Sequence, residues 1–190
     1  IAQLGKVQHM SNLYYTLPQA KLAKLLCERT GMTKVFFSNS GAEANECAIK
    51  AARKYSHDHY GESRSTIVTL QNSFHGRTIA TLAPTGPEAF PQHFGPFPAG
   101  FAYAPANDFA ATKQMLDDPS VCAVMMELIQ GEGGVNVIDP DYAKAVCEYA
   151  QARDILVIID EVQTGNGRTG KLYCYMHYGL SPDIVTTAKG

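Results

Sequence analysis

Charged side chains are scarce in this sequence. Asp, Glu, Lys and Arg make up 18% of 190 residues, against about 25% in typical domains. The 16 basic and 18 acidic residues leave a net charge of −2 and form no runs, which excludes the electrostatic footprint of a nucleic-acid binder. Long apolar stretches are missing too. The longest, Val121–Met126 and Ile155 to Ile159, fall far short of the roughly 20 residues that span a bilayer, so no membrane partner is expected. The five cysteines, Cys27, Cys47, Cys122, Cys147 and Cys174, are odd in number and lack C-x-x-C spacing. They read as buried free thiols of a reducing, cytoplasmic compartment. No charged segment followed by an apolar one opens the chain as a secretion signal would. The first residue is Ile1 rather than Met, and the last two, Lys189-Gly190, directly follow a strand-like run. Truncation at both ends is the expectation from these features.

What is present is apolar. Such residues reach 45%, more internal or interface surface than an isolated domain needs, which fits a large oligomeric enzyme or a piece of one. At about 150 residues per domain, one domain is expected. Leu17, Leu22, Leu25 and Leu26 suggest an amphipathic helix ending at Gly31, and Val35 to Ser38 a short buried strand. The series Ala44, Cys47, Ala48, Ala51, Ala52 and Tyr55 marks one face of a long helix after Gly41. Strands are expected at Thr66–Leu70, Phe101–Ala104, Val121 to Glu127, Ile155 to Asp160 and Asp183 to Thr187, with a helix from Tyr142 to Arg153. Five prolines between Pro84 and Gly100 predict a long irregular loop. Strands apolar on both faces and alternating with helices argue a mostly parallel sheet with helices on both sides, an α/β fold.

In such sheets ligands bind beyond the carboxyl ends of the strands. The polar residues there are Ser38 to Gly41, Asn72 to Arg77, Glu127 to Glu132, Asp160 to Gln163, and Lys189. Ser40-Gly41-Ala42 opens the long helix, where backbone N–H groups favour an anion such as phosphate, although an ordinary Ser cap has the same appearance. No Walker lysine follows, which excludes a nucleoside-triphosphate loop. Asp160 ends an apolar strand and needs a partner, whether a protonated ring nitrogen, an arginine or a helix N-terminus. Lys189 at a strand end is either a snorkelling surface residue or a desolvated amine able to form a Schiff base. Together the three would anchor phosphate, pyridine nitrogen and aldehyde carbon, the requirements of pyridoxal phosphate. Gly165 to Gly170 matches G-x-G-x-x-G, but three residues separate it from the strand and no long amphipathic helix follows, against a dinucleotide site. His57 and His59 have no third metal ligand nearby and read as a solvated helix end.

The segments HMSNLYYT, FFSNSGAEANECAIKAARK, NSFHGRT, ELIQGEGG, IIDEVQTGNGRTG and PDIVTTAKG cover essentially the whole chain. In this order they resemble the class III pyridoxal-phosphate aminotransferases of the ornithine/acetylornithine type. The resemblance implies a type I large domain, here residues 1–190 of a longer cofactor-binding domain without its N-terminal segment and C-terminal small domain. It implies a homodimer at full length. It also implies transfer of the terminal amino group of N-acetylornithine, or a similar ω-amino acid, to 2-oxoglutarate, giving a semialdehyde and glutamate. Ornithine, succinylornithine and 4-aminobutyrate are alternative donors. Rival readings of another class are a non-catalytic fragment or fold relative, and a nicotinamide oxidoreductase.

Carried onto this sequence, the family pattern puts Ser40, Gly41 and Ala42 on the cofactor phosphate. Phe74 and Val162 take the two faces of the ring, Asp160 its nitrogen, and Gln163 its hydroxyl, with Glu161 counted among the cofactor residues. Lys189 becomes the Schiff-base lysine. Arg77 would hold the substrate carboxylate, Glu132 would gate a distant arginine, and Tyr15 of the first motif joins the substrate residues. Two positions depart from the pattern. Leu128 stands where Pro is usual in E-P-x-Q-G-E, and Asn166 occupies a commonly apolar place.

Overall fold

The computed structural model describes residues 1–11, 13–85 and 93–190. They divide into two compact units, Ile1–Phe37 and Ser38–Gly190. The first unit contains helix α1 (Leu17–Thr30), which ends where Gly31 turns left-handed at φ 77° and returns its N–H to the Cys27 carbonyl. Glycine takes that left-handed turn at least conformational cost. The expected boundary is met, but α1 buries no residue, and Leu17 is 75% exposed. Val35 to Ser38 is not a strand. Among the described residues no neighbouring strand supplies it with a ladder, and Phe36 is exposed rather than buried.

The second unit runs α2 (Gly41–Tyr60), β1 (Thr66–Leu70), α3 (Ile79–Leu82), β2 (Phe101–Ala104), α4 (Phe109–Leu116) and β3 (Val121–Met126). A two-stranded hairpin follows, β4 (Ile129–Gln130) and β5 (Asn136–Val137), then α5 (Pro140–Gln151), β6 (Leu156–Glu161), α6 (Tyr175–Tyr178) and β7 (Ile184–Thr187). The five long strands form one sheet in the order β2-β1-β3-β6-β7, every pair parallel. The expected α/β sheet is present. Its interior strands are apolar on both faces because helices cover both. On one side Ala48, Ile49 and Ala52 of α2 pack on Ile67, Ala123, Met125 and Ile158. On the other, Leu116 of α4 and Ala143, Val146 and Ala150 of α5 pack on Val68, Val124, Val157 and Ile159.

The buried stripe of α2 is rotated from the expected one. It comprises Asn45, Ala48, Ile49, Ala52 and Ser56, while Ala51 is exposed and Ala44, Cys47 and Tyr55 are half-buried. Two polar residues disguise it, and each has an internal acceptor: Asn45 donates to Asp160, and Ser56 to the Arg64 carbonyl. The thiols are all free, but only Cys122, Cys147 and Cys174 are buried. Cys27 and Cys47 are half-buried. The proline-rich loop is described only in part, as a 3-10 turn over Ala83–Thr85 and from His93 onward, because residues 86–92 lie outside the described residues.

Candidate active site

β6 carries two adjacent carboxylates, and strand alternation sends them to opposite faces. Asp160 is 3% exposed. Its Oδ2 accepts from Asn45 Nδ2 at 2.7 Å and faces His75 Nδ1 at 2.8 Å. Oδ1 accepts the Val162 N–H at 2.9 Å. These contacts keep a buried acid satisfied, yet a carboxylate has about four acceptor positions and so can take one more donor. Among the described residues neither an arginine nor a helix N-terminus, two partners considered from sequence, contacts it.

Glu127, just past β3, lies beside this group. It accepts the Phe74 N–H at 2.9 Å. Burial pushes its carboxyl up to about 7, and the nearby Asp160 charge adds to the effect, against the lowering influence of His75. Burial disfavours a charged His75, but the hydrogen bond and charge of Asp160, with the charge of Glu127, outweigh it and raise the imidazole above its ordinary value. His75 Nε2 is buried with no partner among the described residues.

Around the acid the expected segments converge. Ser40 caps α2, its hydroxyl accepting the Glu43 N–H, so the N–H groups of Gly41 and Ala42 open the helix at its positive end. Gly41 lies against Val162, where an added Cβ would come within 2.6 Å of Cγ1. Gly76, at φ 135°, likewise backs onto Ala42, whose Cβ would meet one added there at 2.8 Å. Gln163 packs its amide against Gly131, and its Oε1 accepts from Lys189 Nζ at 3.0 Å. Phe74 is half-buried, and the exposed Arg77 lays its guanidinium carbon 5.6 Å from the ring centre.

One expected residue points away from this convergence. Glu161 faces the other side of the sheet, where Thr164 and the Tyr175 N–H occupy its carboxylate. There it anchors the turn leading into α6. Glu132 is exposed between β4 and β5. Tyr15 belongs to the Ile1–Phe37 unit, where its ring is 95% exposed. Asn45, by contrast, was not foreseen, and His75 and Glu127 carried no assigned role. The signal for Asn45 is a polar residue on the helix face that otherwise holds Ala48, Ile49 and Ala52. His57 and His59 lie in the last turn of α2, and among the described residues no group of three or more His, Cys, Asp or Glu could hold a metal. No helix among them is long and apolar enough to cross a membrane.

Known proteins resemble this chain along its whole length. An acetylornithine aminotransferase of Haemophilus ducreyi is 59% identical over 190 residues, all of this chain and 48% of its own length. A succinylornithine transaminase of Citrobacter koseri is 48% identical over 187 residues, 98% of this chain and 46% of that one. The chain thus spans about half the length of the curated relatives it matches. An ornithine aminotransferase structure from Toxoplasma gondii, with partial occupancy of PLP at its active site, superposes with a TM-score of 0.89. It is 32% identical, across 99% of this chain and 45% of that one. The family model for class-III aminotransferases matches residues 1–190, end to end, and the chain belongs to the class-III aminotransferase family.

Proposed function

We propose that this chain is the cofactor-binding part of a pyridoxal-phosphate-dependent aminotransferase. It acts on N-acetylornithine or a similar ω-amino acid, with 2-oxoglutarate as acceptor, yielding a semialdehyde and glutamate. The observation that carries the reading is that buried Asp160 accepts the Val162 N–H, that Val162 lies against Gly41, and that the next residue, Gln163, accepts from the Lys189 amine. A flat ring needs such a cradle, because a methyl group at Gly41 would push Val162 out of place. The names of the relatives support the donor class, and a cytoplasmic homodimer at full length goes with it.

Pyridoxal phosphate supplies an electron-withdrawing ring when bound. Ser40, Gly41 and Ala42 would hold its phosphate through the helix-start donors. Phe74 and Val162 would flank the ring, and Gln163 would contact its hydroxyl. Asp160, kept in place by Asn45 and His75, would hold a proton on the ring nitrogen. The Lys189 amine would hold the aldehyde carbon and then carry a proton between carbon atoms as an acid–base group. Arg77 would orient a substrate carboxylate by a charge-assisted, bidentate contact, with Glu132 and Tyr15 as further substrate-side residues.

Borohydride reduction of the full-length protein with its cofactor, followed by peptide mapping, is expected to find the pyridoxyl group on Lys189. Lys171 is the nearest competitor in sequence, but its amine is exposed and donates to the Met176 carbonyl. A label on Lys171, or on no lysine, would overturn the assignment. Turnover of N-acetylornithine against N-succinylornithine then decides the donor.

A further inference from the structure

The parallel ladder between β6 and β7 ends at the pair Glu161 and Thr187. The next carbonyl, that of Ala188, therefore lies beyond the reach of strand pairing. It accepts instead from the side chain of Asn166, whose Nδ2 lies 2.8 Å away. Lys189 follows at φ 50°, a left-handed conformation that non-glycine residues disfavour. Something must hold it there. Asn166 is itself left-handed at φ 56°, a conformation that Asn tolerates far better than apolar residues do.

The turn that carries Asn166 is fixed to the end of β6. The Gly165 N–H bonds to the Glu161 carbonyl at 2.9 Å, and Gly165 has no room for a side chain, since a Cβ there would lie 2.7 Å from that same oxygen. Beyond Lys189, a Cβ on Gly190 would approach Asn166 Nδ2 to 3.0 Å, so the amide is packed against the backbone on both sides of the lysine. Gln163, from the same turn, accepts from the amine itself. One segment, residues 160–166, thus provides the buried acid, the acceptor for the amine and the clamp on the lysine backbone.

We propose that Asn166 is a positioning residue: its amide replaces the missing ladder bond at Ala188 and locks Lys189 in its left-handed conformation, setting the amine relative to Asp160. The inference rests on Lys189 being the cofactor lysine.

The test uses Asn166→Gly and Asn166→Asp in the full-length protein. Glycine keeps the left-handed backbone and deletes the donor, whereas aspartate keeps the shape and turns a carboxylate toward the Ala188 carbonyl. Both are expected to weaken pyridoxal-phosphate affinity about tenfold, the loss of one hydrogen bond's worth of positioning. Both should also shift the pH midpoint of the bound cofactor's visible absorbance and lower kcat with KM unchanged. Thermal midpoints of the cofactor-free proteins should match the parent. Unchanged affinity and unchanged absorbance titration in both variants would overturn the proposal, as would losses matched by a fall in the cofactor-free thermal midpoint. Borohydride mapping of the parent separates the two claims. A label away from Lys189 removes the cofactor-lysine reading and this inference with it, whereas a label on Lys189 with unchanged variants removes the inference alone.

Discussion

Asp160 has two jobs that pull against each other. In the proposed function it would face the cofactor's ring nitrogen, yet it sits where solvent does not reach and needs partners from the chain. Asn45, His75 and the Val162 N–H reconcile them by solvating the carboxylate from within. Asp160→Asn keeps the shape and loses the charge. In the full-length enzyme it is expected to retain cofactor through the phosphate contacts while turnover falls at least about a hundredfold, the scale of losing one preorganised electrostatic contact. Near-normal turnover would leave Asp160 a role in the fold alone. Glu127 yields a pH prediction. Its carboxyl titrates near 7 in the fold, against an ordinary value of 4.5. Between those values the unfolded chain gives up its proton first, so stability falls as pH rises, by on the order of 3 kcal/mol across the window. His75, also raised, acts in the same sense above its ordinary 6.5. Glu127→Gln keeps an acceptor for the Phe74 N–H and removes the ionisation. Denaturation between pH 5 and 8 should show the variant gaining on the parent as pH rises, and parallel curves would contradict this. At this scale the sequence exposed Asp160, Lys189 and the helix-start residues, because strand ends and helix starts can be read from pattern. The partners of Asp160 were not legible, since Asn45 and Asp160 meet across 115 residues and no local spacing records that.

Elements were easier to read than residues. Strands β1, β2, β3, β6 and β7 fall within a residue or so of their expected limits, and the interior ones are the plainest, because burial on both faces makes them largely apolar runs. The helix stripe of α2 was misread by one position, because polarity on a buried face looks like solvent exposure until its partner is known. Helix α4 was overlooked, being only eight residues long, although Asp108 caps it by accepting the Ala111 N–H. Val35 to Ser38 shows the converse error, a β-like composition without a neighbour to pair with. The start of α2 allows a direct test of close packing. Gly41→Ala forces Val162 to move and is expected to cost about 1 to 3 kcal/mol, as overpacking does, and to weaken cofactor binding. Adding Val162→Ala should recover most of the lost stability, since the clashing methyls are gone. Additive losses in the double variant would show that Gly41 is required for some other reason.

For the molecule as a whole, the described residues leave large apolar side chains in solvent. Leu13, Tyr15, Leu17 and Phe36 are between 66% and 95% exposed, beyond what scattered surface residues require. The 190-residue chain on its own is expected to self-associate in sedimentation and to show weak or no transamination. A fully active monomer would contradict both expectations.

The sheet order has a consequence for assembly in time. β6 follows β1 and β3 in the chain and lies between β3 and β7, and it brings the acid that His75, 85 residues earlier, faces. Contacts over such separations must wait for large loops to close, which slows folding in proportion to how non-local they are. A nascent chain that has emerged only as far as α5 already carries Asn45, His75 and Glu127, but nothing for them to organise. The buried polar group around Asp160 closes only when β6 seats, in whatever order the earlier elements form.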